Sequence, residues 1–221
     1  MNVLLFGATG MIGRAALLES LRDGRVRSVL AVGRRPTGVT DSKLRDVVVE
    51  DLFDLSAVKD ELPACDACFY CLGAASYGMT EAEYSRLTYD LTLSVASSIA
   101  AVNTRIAFCF ISGDGADPSE RGRTMWARVK GKTENALLRM PFRAFIFRPG
   151  YIQPLDGIRT RVTHYRILYA ALRPFYGLLR RLSPRHVTDT RRVGRALVAV
   201  GLAGHEKRIL GCEEINALGE R

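Results

Sequence analysis

The stretch Gly7-Ala8-Thr9-Gly10-Met11-Ile12-Gly13 follows the apolar segment Asn2–Phe6 directly and runs into Met11–Arg22, whose apolar residues recur at helical spacing. Glycine allows a chain to turn sharply at the end of a strand, and it lets backbone amides approach a pyrophosphate closely. The free amides that begin the helix then favour the bound anion. This order of strand, glycine-rich turn and helix predicts that a dinucleotide is held by Gly7, Thr9, Gly10, Met11, Ile12 and Gly13.

Strand-like and helix-like segments continue to alternate up to residue 150. The predicted strands are Asn2–Phe6, Ser28–Gly33, Asp46–Val49, Cys65–Leu72, Arg105–Ser112 and Phe142–Phe147. The predicted helices are Met11–Arg22, a segment from the capping-box sequence at Thr80 to Val102, and Thr124–Arg139. The strands are near-continuous apolar runs, which is expected when both faces of a sheet are covered. We therefore expect an α/β fold of Rossmann type, with a doubly wound, mostly parallel sheet.

The pattern changes after Gly150. Asp189–Leu202 has helical spacing and Lys207–Leu210 predicts a short last strand, but no linker or internal repeat separates these segments from the rest. A chain of 221 residues suits one α/β domain. We expect a single domain over 1–221, with a cofactor-binding core at 1–150 and a small helical region at 151–221 that contributes to a substrate site.

The charge of the chain favours anionic partners. The formal net charge is +9, which suits nucleotide phosphates, nucleic acid or an acidic membrane surface. A dinucleotide and a small-molecule substrate satisfy this preference, so we expect no nucleic acid. Residues 165–182 combine aromatic residues and leucines with Arg166, Arg173, Arg180 and Arg181. They fit either a membrane-surface helix or, as we favour, helices of a substrate pocket. No leader or membrane-spanning run is evident, so we expect a cytoplasmic protein.

The end of the second strand bears on the choice of cofactor. An NAD site usually places an acidic residue there, where it holds the 2′-hydroxyl of the ribose. This chain has Arg34 and Arg35 instead. Guanidinium groups suit a 2′-phosphate through charge and bidentate geometry. The sequence therefore predicts NADP(H) rather than NAD(H).

Cysteine and histidine carry no predicted metal site. Cys65, Cys68 and Cys71 have a spacing found in metal clusters, but they flank or lie within an apolar run, where free cysteine serves as a small core residue. His164, His186 and His205 have no partner at metal or triad spacing, so we expect surface roles for them. Ser112 with Asp114 and Asp117 is therefore a weak indication of a hydrolase.

The motifs together resemble the short-chain dehydrogenase/reductase superfamily, in its atypical branch. The resemblance covers most of the chain and includes small Tat-interacting-protein-like reductases. It implies cofactor contacts from residues 7–13 and from the segments after the third, fourth and sixth strands. These further contacts are Asp51, Leu52, Cys71, Leu72, Gly73, Pro149 and Tyr151. It also implies that Ser112 orients the substrate and that Lys130 holds the nicotinamide ribose.

One position departs from this family pattern. The family has a tyrosine four residues before the lysine, where it exchanges a proton with the substrate, and this chain has Trp126. An indole N–H is only a donor and does not titrate usefully. Tyr151 is a candidate replacement. Three hypotheses stay open: an NADPH-dependent oxidoreductase acting on a small carbonyl-type substrate, a catalytically impaired nucleotide sensor, and, as a weaker third, a peripheral membrane protein that recognises anionic lipid through the late helix.

Overall fold

The computed structural model describes residues 1–158 and 176–220. The strands are β1 (Asn2–Phe6), β2 (Ser28–Gly33), β3 (Leu44–Val48), β4 (Ala67–Tyr70), β5 (Ala107–Ile111), β6 (Arg143–Phe147), β7 (Tyr151–Gln153), β8 (Val187–Asp189) and β9 (Ile209–Leu210). The α-helices in these residues are α1 (Met11–Arg22), α2 (Glu81–Ser85), α3 (Leu91–Ala100), α4 (Met125–Leu138), α5 (Tyr176–Leu182), α6 (Thr190–Ala203) and α7 (Cys212–Gly219).

Seven strands form one sheet in the order β3-β2-β1-β4-β5-β6-β9. Each neighbouring pair is parallel, as expected for near-continuous apolar strands. The chain winds outward from β1 to β3 and then returns to β4 on the other side of β1. This confirms the predicted doubly wound Rossmann-type sheet. The carboxyl ends of β1 and β4 border the crevice where ligands bind in such folds.

The core has one apolar layer on each face of the sheet. On one face, Leu5 and Phe69 belong to a cluster with Leu17 of α1 and Leu197 of α6. On the other face, a second cluster joins the remaining strand residues to α3 and α4; it includes Leu4, Phe6, Cys68, Tyr70, Phe108, Val95, Ile99 and Leu137. Because helices cover both faces of the sheet, polar groups can meet at the edge formed by the carboxyl ends of the strands.

The helix predicted from Thr80 to Val102 is interrupted. Its capping box is present: the Glu83 amide donates to Thr80 Oγ1 (3.3 Å), and the Glu83 carboxylate accepts from the Thr80 amide (2.8 Å). A π turn at Arg86–Asp90 then separates α2 from α3. No proline or glycine marks this turn in the sequence, so apolar spacing alone could not reveal it.

Helices are present in the described part of the region after Gly150, as predicted, together with two short strands that were not predicted. β7 and β8 pair in parallel to form a second, two-stranded sheet, and α7 follows β9. Three-residue strands are too short to show an alternating pattern, which explains why the sequence prediction missed them. The strand predicted at Lys207–Leu210 is only Ile209–Leu210, which pairs with β6. Within 1–158 and 176–220, no helix is long and apolar enough to cross a bilayer.

Candidate cofactor and catalytic site

A cleft of about 480 Å³ opens at the carboxyl ends of β1, β2 and β4. Ten residues predicted to bind a cofactor line it: Gly7, Thr9, Gly10, Met11, Arg34, Arg35, Leu52, Cys71, Leu72 and Gly73. These residues follow four different strands, β1 to β4, whose carboxyl ends the parallel topology brings together. The cleft therefore has both the position and the backbone lining that a dinucleotide requires.

Close backbone approach explains the glycines of the turn after β1. Gly7 has φ +81°, and a Cβ atom there would lie 2.7 Å from the carbonyl carbon and oxygen of Cys71. A Cβ atom on Gly13 would lie 2.0 Å from the Gly7 oxygen. Gly10 donates its amide proton to the Gly7 oxygen (2.9 Å) and is the N-cap of α1, which no described side chain caps. The amides of the first helical turn thus remain available to an anion.

A basic wall closes the β2 side of the cleft. Arg34 and Arg35 are both exposed at its rim. Asp46 also lines the cleft, but its Oδ2 atom accepts hydrogen bonds from the amide (3.1 Å) and the hydroxyl (2.8 Å) of Thr37. Arg14 Nη1 donates to the Thr37 oxygen (2.9 Å), which places a third guanidinium nearby. The sequence prediction missed Arg14, although it lies one helical turn after Gly10 and so faces the same side.

Several predicted contact residues lie away from this cleft wall. Ile12 packs against the core, and Asp51 accepts a hydrogen bond from the Phe53 amide (2.9 Å). The Pro149 oxygen accepts from the Asp114 amide (3.0 Å), and the Tyr151 hydroxyl donates to Gln153 Oε1 (2.6 Å). Their predicted roles toward a cofactor or substrate stay predictions.

A buried polar cluster lies behind the end of β5. The Ser112 hydroxyl donates to Glu134, whose side chain is only 1% exposed. Arg148 Nε lies 3.0 and 3.1 Å from the two carboxylate oxygens of Glu134, and Arg148 Nη2 also donates to this group. Since the hydroxyl proton of Ser112 is engaged, its oxygen can only accept from a ligand. Glu134 was not predicted, although it follows Lys130 by one helical turn.

Lys130 is buried beside this cluster. Its Nζ donates to the Ile111 oxygen (2.8 Å) and lies 4.7 Å from the centroid of the Phe110 ring. Burial lowers the pKa of Lys130 to about 8, and the negative charge of Glu134 opposes part of that shift. Lys130 is therefore anchored at the carboxyl end of β5, next to Ser112.

The pKa of Lys130 leads to a prediction about stability. Between about pH 8 and its ordinary pKa of 10.5, the unfolded chain binds more protons at this residue than the folded chain. The contribution of Lys130 to the free energy of unfolding therefore rises with pH in this window, while below it the full cost of burying the charge, about 3 kcal/mol, is present. We expect the difference in this free energy between Lys130→Met and the wild type to shrink by about that amount across the window.

Urea denaturation of both proteins at the two ends of the window measures this change. Lys132→Met is the matched control, because Lys132 is exposed on the same helix. A difference between Lys130→Met and the wild type that stays constant with pH would contradict a buried, charged Lys130.

The loop that follows Ser112 carries the Trp126 ring over its backbone and a side-chain pair, Asp114 with His186. The ring of Trp126 packs over this loop, so that Cβ atoms on Gly113 and Gly115 would lie 3.7 and 3.6 Å from it. Between these glycines, Asp114 Oδ2 lies 3.0 Å from His186 Nδ1. His186 has no partner at triad spacing in the sequence, but the fold brings Asp114 to it from 72 positions away, and its side chain is 69% exposed, as expected for a surface role. Ser112 is bonded to Glu134 instead, so these side chains form no serine–histidine–aspartate chain.

Only the last part of the late basic segment can be located. Residues 159–175, which include His164, Arg166 and Arg173, lie outside the described residues. In α5, Leu178 and Leu182 are 57% and 70% exposed, and Arg181 is also exposed. The choice between a membrane-surface helix and a pocket helix stays a prediction.

The sheet order and the glycine-lined cleft define a Rossmann-type nucleotide-binding protein. The NAD dependent epimerase/dehydratase family model matches residues 3–123, more than half of the chain, and the chain belongs to that family. The family and fold support binding of a dinucleotide cofactor.

Curated relatives agree with this assignment. The chain is 30% identical over 159 residues to "Protein fmp52, mitochondrial" of Emericella nidulans, covering 68% of this chain and 66% of that protein. It is 27% identical over 155 residues to rat "Protein HTATIP2", covering 68% and 62%. A third relative, "Leucinostatins biosynthesis cluster protein T" of Purpureocillium lilacinum, is 28% identical over 120 residues, covering 52% and 44%. The chain thus spans less than two thirds of the length of each. The match to HTATIP2 confirms the resemblance predicted from the motifs.

Solved structures show the same fold. A short-chain dehydrogenase/reductase superfamily protein from Agrobacterium tumefaciens, solved with bound NAD, superposes with a TM-score of 0.64 at 17% identity. The superposition covers 96% of this chain and 77% of that one. At this identity the likeness establishes the fold alone, and it confirms the predicted Rossmann-type fold.

Proposed function

We propose that the cleft binds NADP(H) in preference to NAD(H), and that the protein is an oxidoreductase acting on a small carbonyl-type substrate. The observation that carries the cofactor preference is the pair Arg34 and Arg35 at the end of β2, on the wall of the cleft. A carboxylate that could repel a 2′-phosphate, Asp46, already accepts two hydrogen bonds from Thr37. Charge and hydrogen bonding at this rim therefore favour a phosphorylated ribose.

The residues around the cleft suit the parts of such a cofactor. The amides after Gly10 would hold the pyrophosphate, and the strand-end backbone of Cys71 and Leu72 would line the next part of the dinucleotide. The bound cofactor supplies hydride chemistry. Ser112 would accept a hydrogen bond at the substrate end, because its own proton goes to Glu134.

The arginine pair gives a direct test of the cofactor preference. We expect Arg34→Ala and Arg35→Ala each to raise the Kd for NADPH by about 10- to 100-fold, since each removes a charge-assisted hydrogen bond to the 2′-phosphate. The Kd for NADH should change by less than about threefold, because NADH lacks that phosphate. Quenching of Trp126, the single tryptophan, measures both values.

Arg27→Ala is the matched control for charge, because Arg27 is exposed and precedes the opposite end of the same strand. Tighter binding of NADH than NADPH by the wild type, or equal losses for both nucleotides in the variants, would contradict the proposed preference.

A second candidate function is a nucleotide-binding sensor without catalysis. Two observations favour it: Trp126 occupies the position of the family's tyrosine, and the Ser112 proton is directed to Glu134 rather than to a ligand. Oxidation of NADPH with a panel of aldehydes and ketones separates the two functions. Turnover supports the oxidoreductase, whereas tight NADPH binding without turnover supports the sensor.

A cytoplasmic location stays a proposal of its own. It rests on the sequence expectation alone, while the fmp52 relative carries "mitochondrial" in its name. Fractionation of cells that produce the tagged full-length protein tests it, and recovery with mitochondria would contradict it.

A further inference from the structure

The pairing of Asp114 with His186 is not used by the proposed cofactor site. It joins the loop after β5 to the residue that precedes β8, with Nδ1 3.0 Å from Oδ2. The backbone holds both partners in place: the Asp114 amide donates to the Pro149 oxygen (3.0 Å), and the His186 oxygen accepts from the Tyr151 amide (2.8 Å). The dyad therefore stands at the carboxyl ends of β5 and β6, where parallel sheets bind their substrates.

The dyad also lies beside Trp126, which occupies the position where the family has its proton-exchanging tyrosine. The ring of Trp126 lies where a Cβ atom added to either glycine beside Asp114 would contact it, and Trp126 cannot exchange a proton as a tyrosine would. The hydroxyl of Ser112, two residues before Asp114, already donates its hydrogen bond to Glu134. His186, paired with Asp114 of this loop, carries an imidazole, which is the side chain that serves most often as a general acid or base.

The local geometry suits such an exchange. A carboxylate next to Nδ1 favours a proton on that nitrogen, which leaves Nε2 to exchange protons with a ligand. The His186 side chain is 69% exposed and Asp114 51%, so solvent can reach the ring. Two other ionisable groups lie close along the chain or on the next helix. Arg185 is paired with Glu213, with 3.5 Å between Nε and Oε2, and burial raises the pKa of the Cys212 thiol, which favours its neutral form.

We propose that His186, oriented by Asp114, donates the proton that the substrate oxygen requires. This inference rests on the proposed oxidoreductase function. During reduction, the carbonyl carbon gains the hydride that NADPH supplies, and the carbonyl oxygen takes the proton from Nε2 of the imidazolium. The ring is then neutral, and solvent returns one proton to it. The products are an alcohol and NADP⁺, so the step balances with NADPH, one proton and the carbonyl compound.

Substitution of the dyad tests the role in turnover. We expect His186→Gln to lower kcat by about 100-fold or more, the usual contribution of a positioned general acid, and Asp114→Asn to lower it less. The Kd for NADPH, measured by quenching of Trp126, should stay within about twofold in both variants, because neither residue contacts the cleft wall. His205→Gln is the matched control, because His205 lies far along the chain and its Nδ1 accepts from the Lys207 amide.

A measurement without turnover complements the kinetics. NADP⁺ is added to the protein while the Cε1–H resonances of the histidines are followed by NMR, with His186 assigned from the spectrum of His186→Gln. We expect the His186 signal to move on saturation with NADP⁺ and the His205 signal to stay in place. Unchanged kcat in His186→Gln overturns this inference and leaves the proposed function intact. Absence of turnover by a wild type that binds NADPH overturns both.

Discussion

Replacing Glu134 with alanine is expected to lower the free energy of unfolding by about 3 kcal/mol, near the lower end of what breaking a buried ion pair costs. The substitution leaves the Arg148 guanidinium and the Ser112 hydroxyl without their shared partner. Arg148 is 21% exposed and can regain some hydration, which keeps the loss from reaching the upper end of the range. Urea denaturation followed by circular dichroism measures the change.

Two further variants define the origin of that loss. Glu81→Ala removes an exposed carboxylate that pairs with Arg128, and it should cost less than about 1 kcal/mol. The double variant Glu134→Ala with Arg148→Ala should recover part of the loss, because the Arg148 charge is no longer left without its partner. Equal losses for Glu134→Ala and Glu81→Ala would show that the buried cluster contributes no more than a surface pair.

Gly13→Ala is expected to abolish useful cofactor binding. The new Cβ atom would lie 2.0 Å from the Gly7 oxygen, and backbone cannot yield as a flexible side chain can. The turn must open, which displaces the amides that would hold the pyrophosphate, so we expect the Kd for NADPH to rise by about 100-fold or more. The free energy of unfolding should also fall, by about 1–3 kcal/mol, as it does on overpacking.

Gly24→Ala is the control for this substitution, because no heavy atom lies within 4 Å of a Cβ atom added at Gly24. It should leave both NADPH binding and stability close to those of the wild type. Wild-type affinity in Gly13→Ala would mean that residues 7–13 do not hold the cofactor.

The sequence predicted those features that depend on local patterns. Residues 7–13 are recognisable because the strand, the turn and the helix are consecutive, and the buried strands are recognisable because their apolar runs are bounded by turns. Features that depend on distant residues were missed. Asp114 and His186 are 72 positions apart, and the pairing of β7 with β8 together with the bond from the Asp114 amide to the Pro149 oxygen brings their loops together.

The catalytic side of the site was less predictable for the same reason. Ser112 and Lys130 could be singled out by family resemblance, but their partners could not. The Ser112 hydroxyl donates to Glu134 and Lys130 Nζ donates to the Ile111 oxygen, and both bonds join α4 to the carboxyl end of β5. A motif identifies which residue types are present at a site, whereas hydrogen-bond direction depends on neighbours that the motif does not include.

The π turn between α2 and α3 allows this helical segment to differ in length by one residue while the same faces of α2 and α3 stay against the core. A π turn accommodates one residue more than an α-helical turn while the flanking helices keep their facing sides. Tyr84 before the turn and Val95 after it are both buried, so each flank is in phase with the core. Loss of one residue within 86–90 could convert the turn to α-helix with both flanks still aligned. The same loss within α3 would rotate the residues beyond it by about 100° and turn Ile99 away from the sheet.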